Sequence, residues 1–156
     1  MLRVTKLTDY ATVVLTVLAT TPDAVLSASE LAERAGLEAP TVSKLLKPLA
    51  QAGLVDGFRG ASGGYRLARP AVEIGLIEIV EAIEGPLAIT ECSIHGGHCG
   101  IEDQCGVRAN WRYINDVVIQ ALRSVSLAQM LVPMAPTLSA PLDQHTKRID
   151  LRLANA

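Results

Sequence analysis

Every cysteine of this 156-residue chain lies in one short segment, ECSIHGGHCGIEDQCGV, residues 91–107. Cys92, Cys99 and Cys105 are separated by six and then five residues, and two of the three histidines, His95 and His98, stand in the first gap. Thiolates are soft ligands, and three of them on a glycine-rich stretch can converge on an iron–sulfur cluster, a centre larger than a single ion. Zinc sites favour closer pairs such as C-x-x-C, which this chain lacks. Zinc and a thiol redox switch stay open as alternative uses of the same residues. An odd number of cysteines without regular pairing points away from a disulfide framework. The chain reads as cytoplasmic, where thiols remain reduced: its first residues include Arg3, Lys6 and Asp9, no small-residue cleavage site follows a clean apolar run, and no uncharged stretch approaches membrane-spanning length.

A second group of residues suits a polyanion. The net charge of −2 conceals an uneven division: residues 1–70 hold eight Lys/Arg against six Asp/Glu, residues 71–156 six against ten. A nucleic-acid surface must therefore lie in the first part. Its candidates are Thr41, Ser43, Lys44 and Lys47 in TVSKLLK, and Arg59 in the glycine-rich RGASGG.

Elements that would carry these residues follow from spacing. Val4, Leu7, Ala11, Val14 and Leu18 recur at three- and four-residue intervals and predict an amphipathic helix over 3–20. Ser27 followed three residues later by Glu30 is the reciprocal capping pair of a helix start, and Gly36 suits its end, giving a second helix over 28–35. Pro40, expected at a first helical position, opens a third helix running to Gly53 with Val42, Leu45, Leu46 and Leu49 on one side. Pro48 falls inside it and predicts a kink or an early end. The glycine-rich LVDGFRGASGGYRLARP then predicts a hairpin with Arg59 near its tip and Arg66 and Arg69 on the returning strand. Three short helices and a basic hairpin form the winged helix-turn-helix pattern, in which the N-terminal half of the third helix meets base edges and phosphates. The fold class expected is mainly α with a small β-wing.

EIGLIEIVEAIEG, residues 73–85, repeats Ile, Leu and Val at helical spacing and predicts a fourth helix packed back on the first three. Beyond the cysteines, Val107, Trp111, Ile114, Val118, Leu122 and Val125 step by 4, 3, 4, 4 and 3, close to the 3.5 period of a two-helix seam. The natural partner is the same helix in a second copy, giving a homodimer whose two reading heads match a palindromic site on double-stranded DNA. The expected division is a winged helix-turn-helix domain over 1–84, a cysteine loop over 85–106, a dimerisation helix over 107–130 and a proline-containing tail over 131–156. No nucleophile motif, phosphate loop or paired carboxylates accompany the cysteines, so an enzyme is not expected.

LTDYA in the first helix, GLVDGFRGASGGYRL across the wing, IEIVEAIEG before the cysteines and the helix opening with Trp111 together resemble the Rrf2 family of bacterial transcription regulators, over roughly residues 1–130. Within it, CSIHGGHCGIEDQCGVRANW is most similar to regulators of the SUF iron–sulfur assembly system. The resemblance implies an iron–sulfur cluster, [2Fe–2S] or [4Fe–4S], held by Cys92, Cys99 and Cys105, and repression of cluster-assembly genes when cluster is sufficient. A fourth ligand is needed. The histidine three residues after the last cysteine in one branch is replaced here by Arg108, whereas the first-helix aspartate that a nitric-oxide-sensing branch supplies from the other subunit corresponds to Asp9. His95 and His98 are rivals. At position 43 an operator-discriminating glutamate of one branch is replaced by Ser43.

Overall fold

The protein is described by a computed structural model covering residues 4–93, 100 and 104–132. Helix α1, Lys6–Thr20, begins after an extended Thr5 and buries Ala11, Val14, Leu15 and Leu18. Its start is later than the periodicity suggests, because Val4 lies ahead of the helix and is exposed. Helix α2, Ala28–Ala35, is closed at both ends as expected. The Glu30 N–H donates to Ser27 Oγ at 3.2 Å, the Ser27 N–H donates to Glu30 Oε2 at 2.8 Å, and Gly36 adopts a left-handed conformation with φ 64°.

Helix α3, Ala39–Gln51, places Pro40 second rather than first and runs on through Pro48. The early end therefore does not occur. Although Pro48 has no N–H for the Lys44 carbonyl, its own carbonyl accepts from the Ala52 N–H at 2.9 Å. Leu49, fully buried one residue later, packs the last turn onto the core.

Strands β1, Val55–Phe58, and β2, Gly64–Leu67, form an antiparallel pair with Val55 opposite Leu67 and Phe58 opposite Gly64. The connection between α1 and α2 adds a bridge on the far edge of β2. The Leu26 N–H donates to the Tyr65 carbonyl at 2.9 Å, and the Tyr65 N–H to the Leu26 carbonyl at 2.7 Å. This close approach explains the double glycine of the wing: a Cβ at Gly64 would stand 2.5 Å from the Leu26 oxygen, and one at Gly63 2.5 Å from the Phe58 oxygen.

After a 3-10 turn at Ala71–Glu73, helix α4, Leu76–Glu84, packs Ile77, Ile79 and Val80 inward. Another 3-10 turn, Glu91–Ser93, precedes helix α5, Arg108–Arg123. The single helix expected over 107–130 is broken: α5 ends at Arg123, and a short helix α6, Leu127–Met130, begins after an extended Ser126. The cause is a second capping box, with the Gln129 N–H donating to Ser126 Oγ at 3.3 Å and the Ser126 N–H to Gln129 Oε1 at 2.8 Å. The break also lets the chain pair with the entrance to α4. The Leu76 N–H donates to the Val125 carbonyl and the Leu127 N–H to the Ile74 carbonyl, both at 2.8 Å, and Leu127 becomes fully buried. One aliphatic core thus spans α1 to α4 and both strands, with Leu127 of α6 as its last member. No helix among the described residues is long and apolar enough to cross a membrane.

Candidate nucleic-acid interface and cysteine site

Burial divides α3 cleanly. Val42, Leu45, Leu46 and Leu49 face the core, while Ser43, Lys44 and Lys47 are exposed and Thr41 lies half-buried at the edge. Arg59 is exposed immediately after β1, next to Gly60, whose φ of 111° makes the reversal. The two other basic residues of the wing have different surroundings. Arg66 lies 5.1 Å from the centre of the Phe58 ring, a cation–π arrangement. Arg69 is engaged internally: Nη2 donates to Glu78 Oε2 at 2.6 Å and Nη1 to the Glu73 carbonyl at 3.2 Å. Burial raises the affinity of Glu78 for a proton, but the Gly75 N–H and Arg69 outweigh it and hold the carboxyl below its ordinary range. Arg69 therefore fastens the wing's return to α4.

The cysteine segment leaves α4 at a second polar lock. Glu84 Oε1 accepts from the Thr5 N–H at 3.2 Å and from the hydroxyls of Thr5 and Thr8, which hold its carboxyl below the usual value. This ties the start of α1 to the end of α4. Further on, Pro86, Leu87 and Ala88 line a groove of about 390 Å³ together with Val118 and Leu122 of α5. The Ile89 N–H donates to Asn115 Oδ1 at 3.0 Å. Thr90 and Ser93 hydroxyls meet at 2.8 Å, and the turn carrying Cys92 packs on α5. Cys105 is a free, half-exposed thiol whose carbonyl accepts from the Arg108 N–H at 3.5 Å, so it stands at the opening of α5. Cys99, His95 and His98 lie outside the described residues, as does the tail from 133 onward.

Asp9 is exposed on the first turn of α1 and lines a different groove, of about 370 Å³, with Thr12, Leu76, Leu122 and Met130. Leu122 is fourteen residues beyond Arg108, about 21 Å along α5 at the rise of an α-helix. Asp9 and Cys105 therefore stand at opposite ends of their own α5, and among the described residues no three His, Cys, Asp or Glu converge as a metal set. The donor chemistry at the N-terminal end of α5, a free thiol with a second cysteine on a turn packed against the same helix, fits a thiophilic centre. Asn115 and Glu84 were not singled out from the sequence; their partners lie 26 and at least 76 residues away.

The apolar stripe of α5 divides in two. Val118 and Leu122 are half-buried against the chain's own grooves, whereas Val107, Trp111 and Ile114 are 52%, 39% and 42% exposed. Val125, the last residue of the expected seam, lies beyond α5 and pairs with Leu76.

A tight α2–α3 turn, an α3 with one polar exposed face and a basic wing define a winged helix-turn-helix DNA-binding regulator. The particular family follows from comparison. Residues 4–133 match the family model for Rrf2, described as an iron-dependent transcriptional regulator. The chain is 34% identical over 131 residues to protein aau3 of Rhizobium meliloti, covering 83% of this chain and 85% of that one. It is 31% identical over 118 residues to the HTH-type transcriptional regulator IscR of Escherichia coli, covering 76% and 72%. Among solved structures, IscR of T. potens matches with TM-score 0.60 and 30% identity over 83% of this chain and 86% of that one. CymR, the global cysteine regulator of B. subtilis, matches with TM-score 0.65 and 26% identity over 84% and 97%. The chain belongs to the Rrf2 family; it is a DNA-binding transcription regulator and not an enzyme.

Proposed function

We propose that this regulator is a cytoplasmic iron–sulfur-cluster sensor, that Cys92, Cys99 and Cys105 hold the cluster with Asp9 of a second copy as the fourth ligand, and that it represses cluster-assembly genes. The observation that carries the reading is the junction of the cysteine segment with α5. The turn bearing Cys92 packs on that helix, Cys105 opens it, and its nearby face, with Val107, Trp111 and Ile114, is exposed. A centre at this junction adjoins the surface through which a homodimer would form. Bound cluster would supply thiolate coordination that responds to oxidation or loss of iron.

Supply of Asp9 from a second copy is supported by its placement. A twofold axis crossing α5 runs the two helices antiparallel, which brings the C-terminal end of one, beside its Asp9, toward the N-terminal end of the other, beside Cys105. A carboxylate is a weaker partner for a soft centre than a thiolate, so this bond is the one to yield first. The reading head would comprise residues 1–84, the cysteine segment 85–106, the interface helix the α5 part of 107–130, and the tail 131–156. Thr41, Ser43, Lys44, Lys47 and Arg59 would meet a palindromic operator, with the lysines and Arg59 on phosphate or a groove edge. The relatives named IscR, at 31% and 30% identity, support this assignment.

Purification without oxygen, followed by iron, sulfide and zinc determination per chain and a visible spectrum, tests the proposal. Matching iron and sulfide with visible absorption is the expected result, and Asp9→Ala should then lose that absorption faster in air. Stoichiometric zinc in a colourless protein would overturn the cluster reading. Metal-free protein that resists anaerobic reconstitution would overturn it in favour of a thiol switch.

A further inference from the structure

Pro86, Leu87 and Ala88 of the cysteine segment line one mainly apolar groove with Val118 and Leu122 of α5. Apolar attraction is non-directional and would tolerate a shift of the segment along the helix. Against this background Asn115 stands out. It is 5% exposed, the buried residue of an otherwise accessible α5, and its Oδ1 accepts from the Ile89 N–H at 3.0 Å. An apolar side chain would serve packing alone without the cost of burying an amide. What the amide adds is direction: the bond forms at one register and fails when the segment slips, as single buried asparagines fix register between helices.

We propose that Asn115 is a positioning residue for the cysteine site: its carboxamide sets the register of residues 86–93 on α5 and so holds Cys92, three residues beyond Ile89, on the helix that Cys105 opens. The proposal rests on the cluster reading for its purpose, but not for its geometry. Removal of the acceptor should loosen the Cys92 limb while leaving the reading head folded, because Asn115 is outside the main core.

The test uses the full-length chain, metal-free and reduced, as parent, Asn115→Leu and Asn115→Asp; the last keeps an acceptor oxygen. Iodoacetamide labelling followed by peptide mass spectrometry separates the three cysteines. In Asn115→Leu, Cys92 should label at least fivefold faster than in the parent, and in Asn115→Asp within twofold of it. Hydrogen exchange at the Ile89 amide should be at least tenfold slower in the parent than in an unstructured peptide, and this protection should disappear in Asn115→Leu. An unprotected Ile89 in the parent overturns the proposal even if Asn115→Leu fails to fold, and so does unchanged Cys92 labelling in a folded Asn115→Leu. After anaerobic loading with iron and sulfide, Asn115→Leu should lose visible absorption to a chelator at least tenfold faster than the parent; equal rates overturn the positioning role. A parent that takes up neither iron nor sulfide overturns the cluster reading instead, and the labelling and exchange results still decide the register.

Discussion

At the scale of single residues, the wing shows how one missing side chain sets a functional surface. Gly64 faces the Leu26 carbonyl at a distance no Cβ tolerates, and that carbonyl belongs to backbone already committed to two hydrogen bonds with Tyr65. Neither side can yield cheaply. Gly64→Ala should therefore destabilise the fold by about 2–3 kcal/mol, read as a lower denaturation midpoint in urea, whereas Gly36→Asn, in open space in the left-handed conformation that Asn tolerates, should cost much less. The paired glycines were visible in the sequence as a turn signal, but the reason for the second was not, since Leu26 is 38 positions away. The same limit applies to the charges. Arg59, Arg66 and Arg69 look alike along the chain, yet Arg66 turns to an aromatic ring and Arg69 to Glu78, and only tertiary contacts distinguish them.

At the scale of elements, local grammar was readable wherever its partners are close. Ser27-x-x-Glu30 correctly located the start of α2. Ser126-x-x-Gln129 is the same device, but the heptad-like steps through Leu122 and Val125 suggested continuity across it, so the break between α5 and α6 was missed. Apolar spacing reports which positions want burial; it does not tell whether one helix or two delivers them. The Glu84 lock joins elements in a way open to titration. Hydrogen bonds from Thr5 and Thr8 favour the ionised carboxyl, so its folded-state pKa is below that in the unfolded chain. Its stabilisation is present above the ordinary carboxylate value and is lost as pH falls through the lowered one. Thermal midpoints should accordingly fall between about pH 5 and 3, and Glu84→Gln should reduce that slope, with hydrogen exchange showing the loss at the start of α1.

At the scale of the whole molecule, the reading head is self-sufficient in burial and α5 is not. Its Trp111 and Ile114 are exposed, without cover among the described residues. Ile114→Glu should yield a monomer in sedimentation while retaining the circular dichroism of the parent, and its affinity for a palindromic operator should drop at least tenfold, toward that of a single head on a half-site. A dimeric Ile114→Glu would remove α5 from the interface. In the proposed site Asp9 would come from a second copy, because Asp9 and Cys105 stand apart along α5 of one chain.

The fastening of α5 at one end has a mechanical consequence. The short ladder joining Val125 and Leu127 to Leu76 and Ile74 fixes the C-terminal end of the helix to the reading head, while Cys105 stands at the other. Sixteen residues make a rod of about 24 Å, so a tilt of about 5° at its fulcrum corresponds to about 2 Å of travel at the cysteine end. The arrangement is a lever with its long arm at the Cys105 end: displacement there is geared down into a small, forceful rotation at the base. In the proposed sensor such a lever would trade amplitude for torque, which suits turning a whole DNA-reading head with the gain or loss of a single ligand bond.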